Sequence, residues 1–438
     1  MSTPLYSWGR FPRRPQRGHS CVWLDELPAH LNRVIEDHSS SLPYGNGRSY
    51  GDSCLAASDQ VLHMRSLDRL IEADWDTGVL KVEAGITLAE VLAVAIPRGW
   101  FLPVTPGTQF ATVGGAIAND VHGKNHHVRG TFGRHVRSFG LLRHGQPEMA
   151  CSPSVNASLF CASIGGLGLT GVIHWAQLQL MPIRASQIDT TTVRFAHLAE
   201  FFSLSDELDD QHEYSVAWVD CLAKGADTGR GVFIVGDHAH YGSLEVGKRA
   251  KLSMPITPPV SLINSLSLSA FNNLYWRVHP SQRTQGRSAY EPFFYPLDRI
   301  LHWNRIYGRR GFQQYQCVIP TANAEAAMGE LLRAIADSGQ GSFLAVLKRC
   351  GDMRSPGLLS FPMPGTSLAL DFAQSEHLEN VVFPRLDDIV RAAGGRLYPA
   401  KDAHMSGADF RQAYPAWERL EALRDPSLMS RFWSRVLL

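Results

Sequence analysis

The residues best suited to do chemistry stand together between Thr105 and His127, in the stretch TPGTQFATVGGAIANDVHGKNHH. A Pro-Gly pair turns the chain. Gly114 and Gly115 follow, and Ala116-Ile117-Ala118 keeps the side chains small. Small residues let a backbone come close to a flat or charged ligand, and glycine reaches positive φ without strain. A helix opening at Thr112 and running to Ala118 would present unpaired N–H groups to a phosphate. His122 and Lys124 add a titratable ring and a positive charge beside it. A glycine-rich turn that binds nothing is the simpler reading of this stretch alone. Two more glycine loops weigh against it: Gly45-Asn46-Gly47-Arg48-Ser49-Tyr50-Gly51-Asp52 upstream, and Gly165 to Gly171 downstream.

The downstream loop contains Gly166-Leu167-Gly168-Leu169-Thr170-Gly171, formally a GxGxxG. A Rossmann nucleotide site needs a strand before this pattern and a helix after it. Here Val172 to Leu180 (VIHWAQLQL) alternates with period two, so a strand follows the glycines. The doubly wound mechanism is excluded, although a nucleotide can still touch this backbone.

The elements that must position these loops follow from pattern. Leu24 to Ser40 carries a helical face at Leu27, Leu31, Val34 and Ile35. Val79 to Ala84 alternates as a strand. Thr87 and Glu90 have capping-box spacing ahead of a helical face at Leu88, Val91, Leu92, Ala95 and Ile96. Phe139 to Arg143 reads as a strand. Beyond Met181 the glycine density falls, with strands expected at Tyr214–Asp220, Gly231–Val235, Phe293–Pro296, Tyr315–Ile319, Phe343–Lys348 and Ser367–Phe372. Helices are expected at Ala322–Ser338 and Leu378–Ala393. Lys251 to Phe271, rich in Pro, Ser and Leu, reads as a mobile loop or lid.

The chain has 438 residues, 44% of them hydrophobic, enough for two or three domains. A net charge of +1 gives no global attraction to nucleic acid. Seven cysteines without CxxC spacing read as reduced thiols of a cytosolic protein. No apolar run is long enough to span a membrane, and the N-terminus lacks the apolar core of a signal peptide. That N-terminus is polarised: Arg10, Arg13, Arg14 and Arg17 precede the first acid, Asp25. It reads either as an arm packing Trp8 on the body or as a basic patch for anionic lipid headgroups.

Three glycine loops, with HGK at His122–Lys124 between the second and third and YPAKD at Tyr398–Asp402 after them, stand in an order that resembles the vanillyl-alcohol-oxidase / p-cresol-methylhydroxylase class of FAD oxidoreductases, and within it the polyprenyl-sugar branch. The resemblance spans nearly the whole chain. It includes WGR at Trp8, GRSYGD at Gly47, TVGGAIA at Thr112, AWVD at Ala217, GFQQYQCVIP at Gly311, SFLAVLK at Ser342 and GGRLYPAKD at Gly394. It implies an α+β fold: a PCMH-type FAD-binding domain at residues 1–183, a substrate domain on an antiparallel sheet with flanking helices at 184–394, and a segment at 395–438 returning to the FAD domain. It implies FAD contacts from Pro43, Tyr44, Gly45, Asn46, Gly47, Arg48, Ser49, Tyr50, Gly51, Asp52 and Ser53, and from Gly107, Thr112, Val113, Gly114 and Gly115. Asn119, Asp120, Val121 and His122 would line the flavin, Ile173 the adenosine side, and Tyr398 the isoalloxazine. Many members attach FAD through a histidine where this chain has Arg48, so the cofactor is expected to be non-covalent.

Oxidising a secondary alcohol requires a hydride acceptor, a base for the hydroxyl proton, and positive charge near the reduced cofactor. Given the resemblance, Lys401 and His122 are the candidates for the protein's part. A lysine beside an apolar sugar pocket loses basicity through desolvation, which suits a base. Implied substrate contacts are Tyr50, Lys124, Trp218, Gln316 and Lys348. His122, His126 and His127 are not expected to bind a metal, because no nearby carboxylate or thiolate completes a tetrahedral set. Ala369, Ser367 and Phe294 depart from the family's cysteine, asparagine and tyrosine, which puts sugar and lipid preference in question. The implied reaction is oxidation of the 2-hydroxyl of a polyprenyl-phospho-ribose to a ketone. An NAD(P)H-dependent short-chain reductase would complete the conversion to arabinose, with the protein cytoplasmic and in contact with the inner face of the membrane. Two other readings stand beside it: a soluble sugar-lactone or alditol oxidase using O₂, and a non-catalytic flavin-binding assembly partner.

Overall fold

The computed structural model describes residues 3–247 and 252–437. Its secondary structure is α+β, built on two large antiparallel sheets and a small three-stranded parallel one, with two further two-stranded pairings among the described residues. The small sheet holds Arg17–His19, Gln60–His63 and Pro43–Tyr44 in that spatial order. A five-stranded sheet follows in the order Leu70–Asp74, Val79–Glu83, Val172–Gln179, Val136–Leu142, Met149–Cys151. Its inner residues, among them Leu80, Val82, Phe139, Leu141, Ala176 and Leu178, share a core with the helices Leu88–Ala95 and Val113–Ala118. The capping box at Thr87 forms as its spacing predicts: the Glu90 N–H donates to the Thr87 hydroxyl, and the Thr87 N–H donates to the Glu90 carboxylate at 2.7 Å.

The larger sheet has eight strands in the order Thr284–Ser288, Ile188–Phe195, Gly231–His238, Tyr214–Val219, Val346–Cys350, Gly365–Ala373, Phe312–Pro320, Arg396–Leu397. Its side chains alternate between faces, as strands require. One face (Tyr315, Cys317, Ile319, Leu347, Leu368, Leu370) packs on helices Leu198–Leu208, Ala324–Ser338 and Phe383–Ala392. The other presents Gln314, Gln316, Val346, Lys348, Ser367 and Ala369 to a cavity. Register brings these six together: Gln316 and Val346 both pair with Ala369, Lys348 pairs with Ser367, and Gln314 with Asp371.

Residues 425–437 cross back to the first glycine loop. Ser41 bridges Leu428, Ala56 bridges Ser430, and the Arg431 N–H donates to the Leu55 carbonyl at 2.7 Å.

Two expectations are corrected. Phe293–Pro296 is not a strand; Tyr290–Phe294 is a short helix. Tyr290, Phe293 and Phe294 fall at i, i+3 and i+4 and all are buried, which one helical turn achieves and a half-buried strand does not. The segment expected as a mobile lid, whose first residue Lys251 lies outside the described residues, contains regular structure. Leu252–Ser253 pairs in parallel with Ile300–Leu301, and a fourteen-residue helix, Ser265–Val278, starts within the segment. Asn264 caps that helix by accepting from the Ser267 N–H at 3.0 Å.

Candidate active site

The glycine loops surround a cavity of about 300 Å³. Close approach explains two of the glycines. A Cβ on Gly45 would lie 2.3 Å from the Thr112 hydroxyl, and one on Gly51 would lie 1.7 Å from the Asp402 carbonyl. Thr112 caps the helix Val113–Ala118, accepting from the Gly115 N–H at 3.2 Å. The other first-turn amides are also taken: Val113 donates to Ile86, Gly114 to Ala84 and Ala116 to Thr112, at 2.8–2.9 Å. This corrects the expectation that the helix holds a phosphate with unpaired N–H groups. The segment Ala84–Ile86 consumes them, a long-range pairing that local sequence does not display. The unspent donors lie in the first loop instead. Among the described residues none accepts from the main-chain amides of Asn46, Gly47, Arg48 or Ser49.

The opposite wall carries the titratable groups. His122 is buried, and burial first, then Lys348, His126 and Lys401, hold its pKa well below the ordinary imidazole value. It is therefore neutral. Its Nδ1 is hydrogen-bonded to Lys348 Nζ, and its Nε2 lies 3.1 Å from the Gln316 amide. A neutral imidazole has one donor and one acceptor. Both contacts are satisfied when Lys348 donates to Nδ1 and Nε2–H donates to the Gln316 oxygen, since the two ends of an amide are interchangeable. Lys348 also donates to the Gly123 carbonyl at 2.9 Å. Burial lowers Lys348 to about 8.

Lys401 sits with Nζ 3.8 Å from the centroid of the Tyr50 ring, a cation–π contact. Burial lowers its pKa to about 8, with Lys348 adding to the shift and Asp371 opposing it. The turn that presents Lys401 is rigidly framed. The Asp402 carboxylate accepts from the His404 and Met405 N–H groups at 3.1 and 2.9 Å and pairs with Arg435 at 2.8 Å. Arg435 also pairs with Asp52 of the first loop at 2.9 Å. His404 lies 3.3 Å from both Asp402 and Asp387 and stacks on Phe383. Burial disfavours its charge, but the two carboxylates outweigh this and raise its pKa.

The structure brings most of the expected site residues to the cavity. Pro43 to Tyr50, Ser53, Gly107, Thr112, Gly114, Gly115, Asn119, Val121, His122, Ile173, Gln316, Lys348, Tyr398 and Lys401 all line it. Six stand back. Gly51 and Asp52 abut the Asp402–Arg435 frame, and Val113 is in the core. Asp120 accepts from the Gly133 N–H and from the hydroxyls of Ser355 and Ser360. Lys124 donates to the Phe293 carbonyl at 2.6 Å, and burial lowers its pKa to about 7. Trp218 donates to the Phe343 carbonyl at 2.9 Å and packs on Tyr275. On the sheet wall sequence reasoning missed Gln314, Leu344 and Val346, and elsewhere it missed Leu297, Asp298 and Trp303 among others. Two-residue spacing from Gln316 and Lys348 would have found the three on the sheet wall.

Comparison with known proteins decides the family. The FAD binding domain family matches residues 25–146. Decaprenylphosphoryl-beta-D-ribose oxidase of Mycolicibacterium smegmatis is 35% identical over 438 residues, covering 96% of this chain and 94% of that protein. The chain belongs to this oxidase family. Two further relatives cover less of it. An uncharacterized protein of Streptomyces coelicolor is 34% identical and covers 78% of this chain and 96% of its own. Mouse L-gulonolactone oxidase is 31% identical and covers 32% of this chain and 31% of its own.

As a member of the family the protein is an FAD-dependent oxidoreductase. The cavity suits that cofactor. Among the described residues, buried Nε of Arg48 and Oγ of Ser53 and Ser367 have no partner, and all three residues line the cavity. The Arg48 guanidinium is held over the Trp8 ring at 4.1 Å and the Phe110 ring at 5.1 Å. A fixed cation beside unspent amides is what a pyrophosphate requires.

Proposed function

We propose that the protein oxidises a ring secondary hydroxyl of a polyprenyl-phospho-pentose to a ketone, with the 2-hydroxyl of a β-D-ribose as target. The observation that carries this reading is the wall of His122, Lys348, Gln316 and Lys401 facing the glycine loops across one cavity, in a chain similar over 96% of its length to an oxidase of that name. Residues 1–183 hold the cofactor, 184–394 supply the substrate wall and 395–438 return to the cofactor side. Arg48, unable to form a histidyl link, grips FAD without a covalent bond.

Bound FAD supplies hydride acceptance from the carbinol carbon. The chain supplies the rest. His122 has both ring nitrogens engaged, so it fixes Lys348 and Gln316, which in turn orient the sugar. Lys401 takes the hydroxyl proton on Nζ, because burial leaves a useful neutral fraction near neutral pH. Lys348 adds positive charge for the phosphate as a point charge. Ala369 and Ser367, both small, leave room for the sugar ring opposite Gln316. An NAD(P)H-dependent reductase acting on the ketone and peripheral contact with the inner face of the membrane belong to the same reading. No helix among the described residues is long and apolar enough to cross a membrane.

The test is anaerobic mixing of the yellow holoprotein with a prenyl-phospho-ribose, following loss of oxidised-flavin absorbance. Bleaching by this substrate, and not by free alditols or aldonolactones, is expected. Faster bleaching by the free sugars would reject the reading.

A further inference from the structure

Trp8, Asp298 and Trp303 line the cavity, and Asp298 and Trp303 flank Ile300–Leu301, which belongs to a surface shelf. The shelf is one connected piece. Leu252–Ser253 pairs with Ile300–Leu301, the Leu262 N–H donates to the Ile306 carbonyl, and the Arg10 guanidinium donates to Thr257 at 3.1 Å. Beneath it Ile263, Leu268, Tyr307 and Phe312 form a small core with Tyr50. Leu268 belongs to the helix Ser265–Val278, so this core ties helix and shelf together.

Both outer faces are apolar and uncovered. On the shelf Leu252 is 65% exposed and Ile256 and Val260 each 69%. On the helix Phe271, Leu274 and Val278 follow at i, i+3 and i+7, one stripe, with Leu274 64% and Val278 63% exposed. Large apolar side chains grouped and exposed in this way mark an interaction site.

The charge around it names the partner. From Leu252 to Arg310 the sequence has seven arginines and two acids, Glu291 and Asp298, neither of them fully exposed. Arg277, Arg299, Arg305, Arg309 and Arg310, with Arg10, Arg13 and Arg14 of the N-terminal arm, make no ion pair among the described residues. The whole chain is nearly neutral, so this excess is local. Apolar side chains ringed by unpaired arginines suit an interface with anionic headgroups above acyl chains.

We infer that the shelf and the outer stripe of Ser265–Val278 form a docking surface for an anionic lipid bilayer. The surface seats this side of the protein on the membrane, so a prenyl tail stays in lipid while its sugar reaches the cavity that Trp8 and Trp303 help to line. The purpose of the surface rests on the proposed lipid-linked substrate; its existence does not.

The experiment is co-flotation of full-length holoprotein with phosphatidylglycerol-containing vesicles and with pure phosphatidylcholine vesicles. Binding to the anionic vesicles, weakened by salt, is expected. Three paired variants, Ile256→Asp with Val260→Asp, Leu274→Glu with Val278→Glu, and Arg309→Glu with Arg310→Glu, should each lower binding roughly tenfold or more. Bound flavin and melting temperature should be unchanged, which excludes misfolding. Binding to neither vesicle overturns the inference, as does a doubled mass in solution that gives the face to a second copy. Loss of binding only on reversing Arg13 and Arg14 also overturns it, by confining contact to the arm. Turnover of a prenyl-phospho-ribose in detergent is scored separately. Vesicle binding without turnover rejects the proposed substrate, and turnover without vesicle binding rejects the docking surface.

Discussion

If Lys401 takes the substrate proton, the rate of FAD reduction must follow the neutral fraction of its amine. A pKa of about 8 leaves about 9% of Lys401 neutral at pH 7 and about 90% at pH 9, so the rate should rise about tenfold over that interval and then level. At the ordinary lysine value of 10.5 the neutral fraction at pH 7 would be about 0.03%, some 300-fold less. The neighbours provide a signed control. Lys348 lowers the Lys401 pKa, so Lys348→Met should move the midpoint to higher pH; Asp371 raises it, so Asp371→Asn should move the midpoint lower. The assay is anaerobic rapid mixing with substrate from about pH 6 to pH 10, reading the midpoint as well as the rate. Lys401→Arg keeps the charge and removes the base, and should cost roughly 10²–10⁴ in the reduction step while FAD stays bound. A Lys401→Arg protein that reduces FAD within a few-fold of the parent would refute the assignment. So would midpoints that ignore both neighbours.

Other expectations follow from the same geometry. Arg48→Ala leaves the first-loop amides without their fixed cation and should release flavin on dilution, read as free FAD fluorescence. Gly45→Ala sets a Cβ against the Thr112 hydroxyl and should lose FAD while retaining most of the secondary structure by circular dichroism. Arg435→Met strands two buried carboxylates, Asp52 and Asp402, and should lower stability by about 3–5 kcal/mol in urea titration. Burial raises Asp371 to about 7 from 3.8, so the folded state holds its proton longer than the unfolded chain. Its contribution to stability therefore falls as pH rises from about 4 to 7, and Asp371→Asn should raise the melting temperature more at pH 7 than at pH 5.

What the sequence made legible was governed by local rules. Period-two alternation at Val172–Gln179 identified a strand and removed the Rossmann reading of the glycines before it. The Thr87–Glu90 spacing produced the capping box it predicts. Most of the cavity lining was named because motif residues carry their positions with them. The failures have a common cause, competition from distant partners. The amides of Val113 and Gly114 are claimed by Ile86 and Ala84, which no local window reveals. The helix Ser265–Val278 has a weak apolar period because its outer stripe is itself apolar, and Pro and Ser before it masked the Asn264 cap. Tyr290–Phe294 has an aromatic run that suits either state, and only packing around Phe101 and Tyr214 resolves it. The ion pair of Arg435 with Asp52 spans 383 residues.

That last pair bears on the order in which the protein matures. The first glycine loop is made well before the arginine that anchors its Asp52, which lies 383 residues further along. Lys401 is fastened by the same guanidinium through the residue beside it. A nascent chain that has not yet reached Arg435 therefore lacks the ion pairs that frame the first loop and the turn presenting Lys401. Both sides of the cavity are therefore framed only once these distant segments have met.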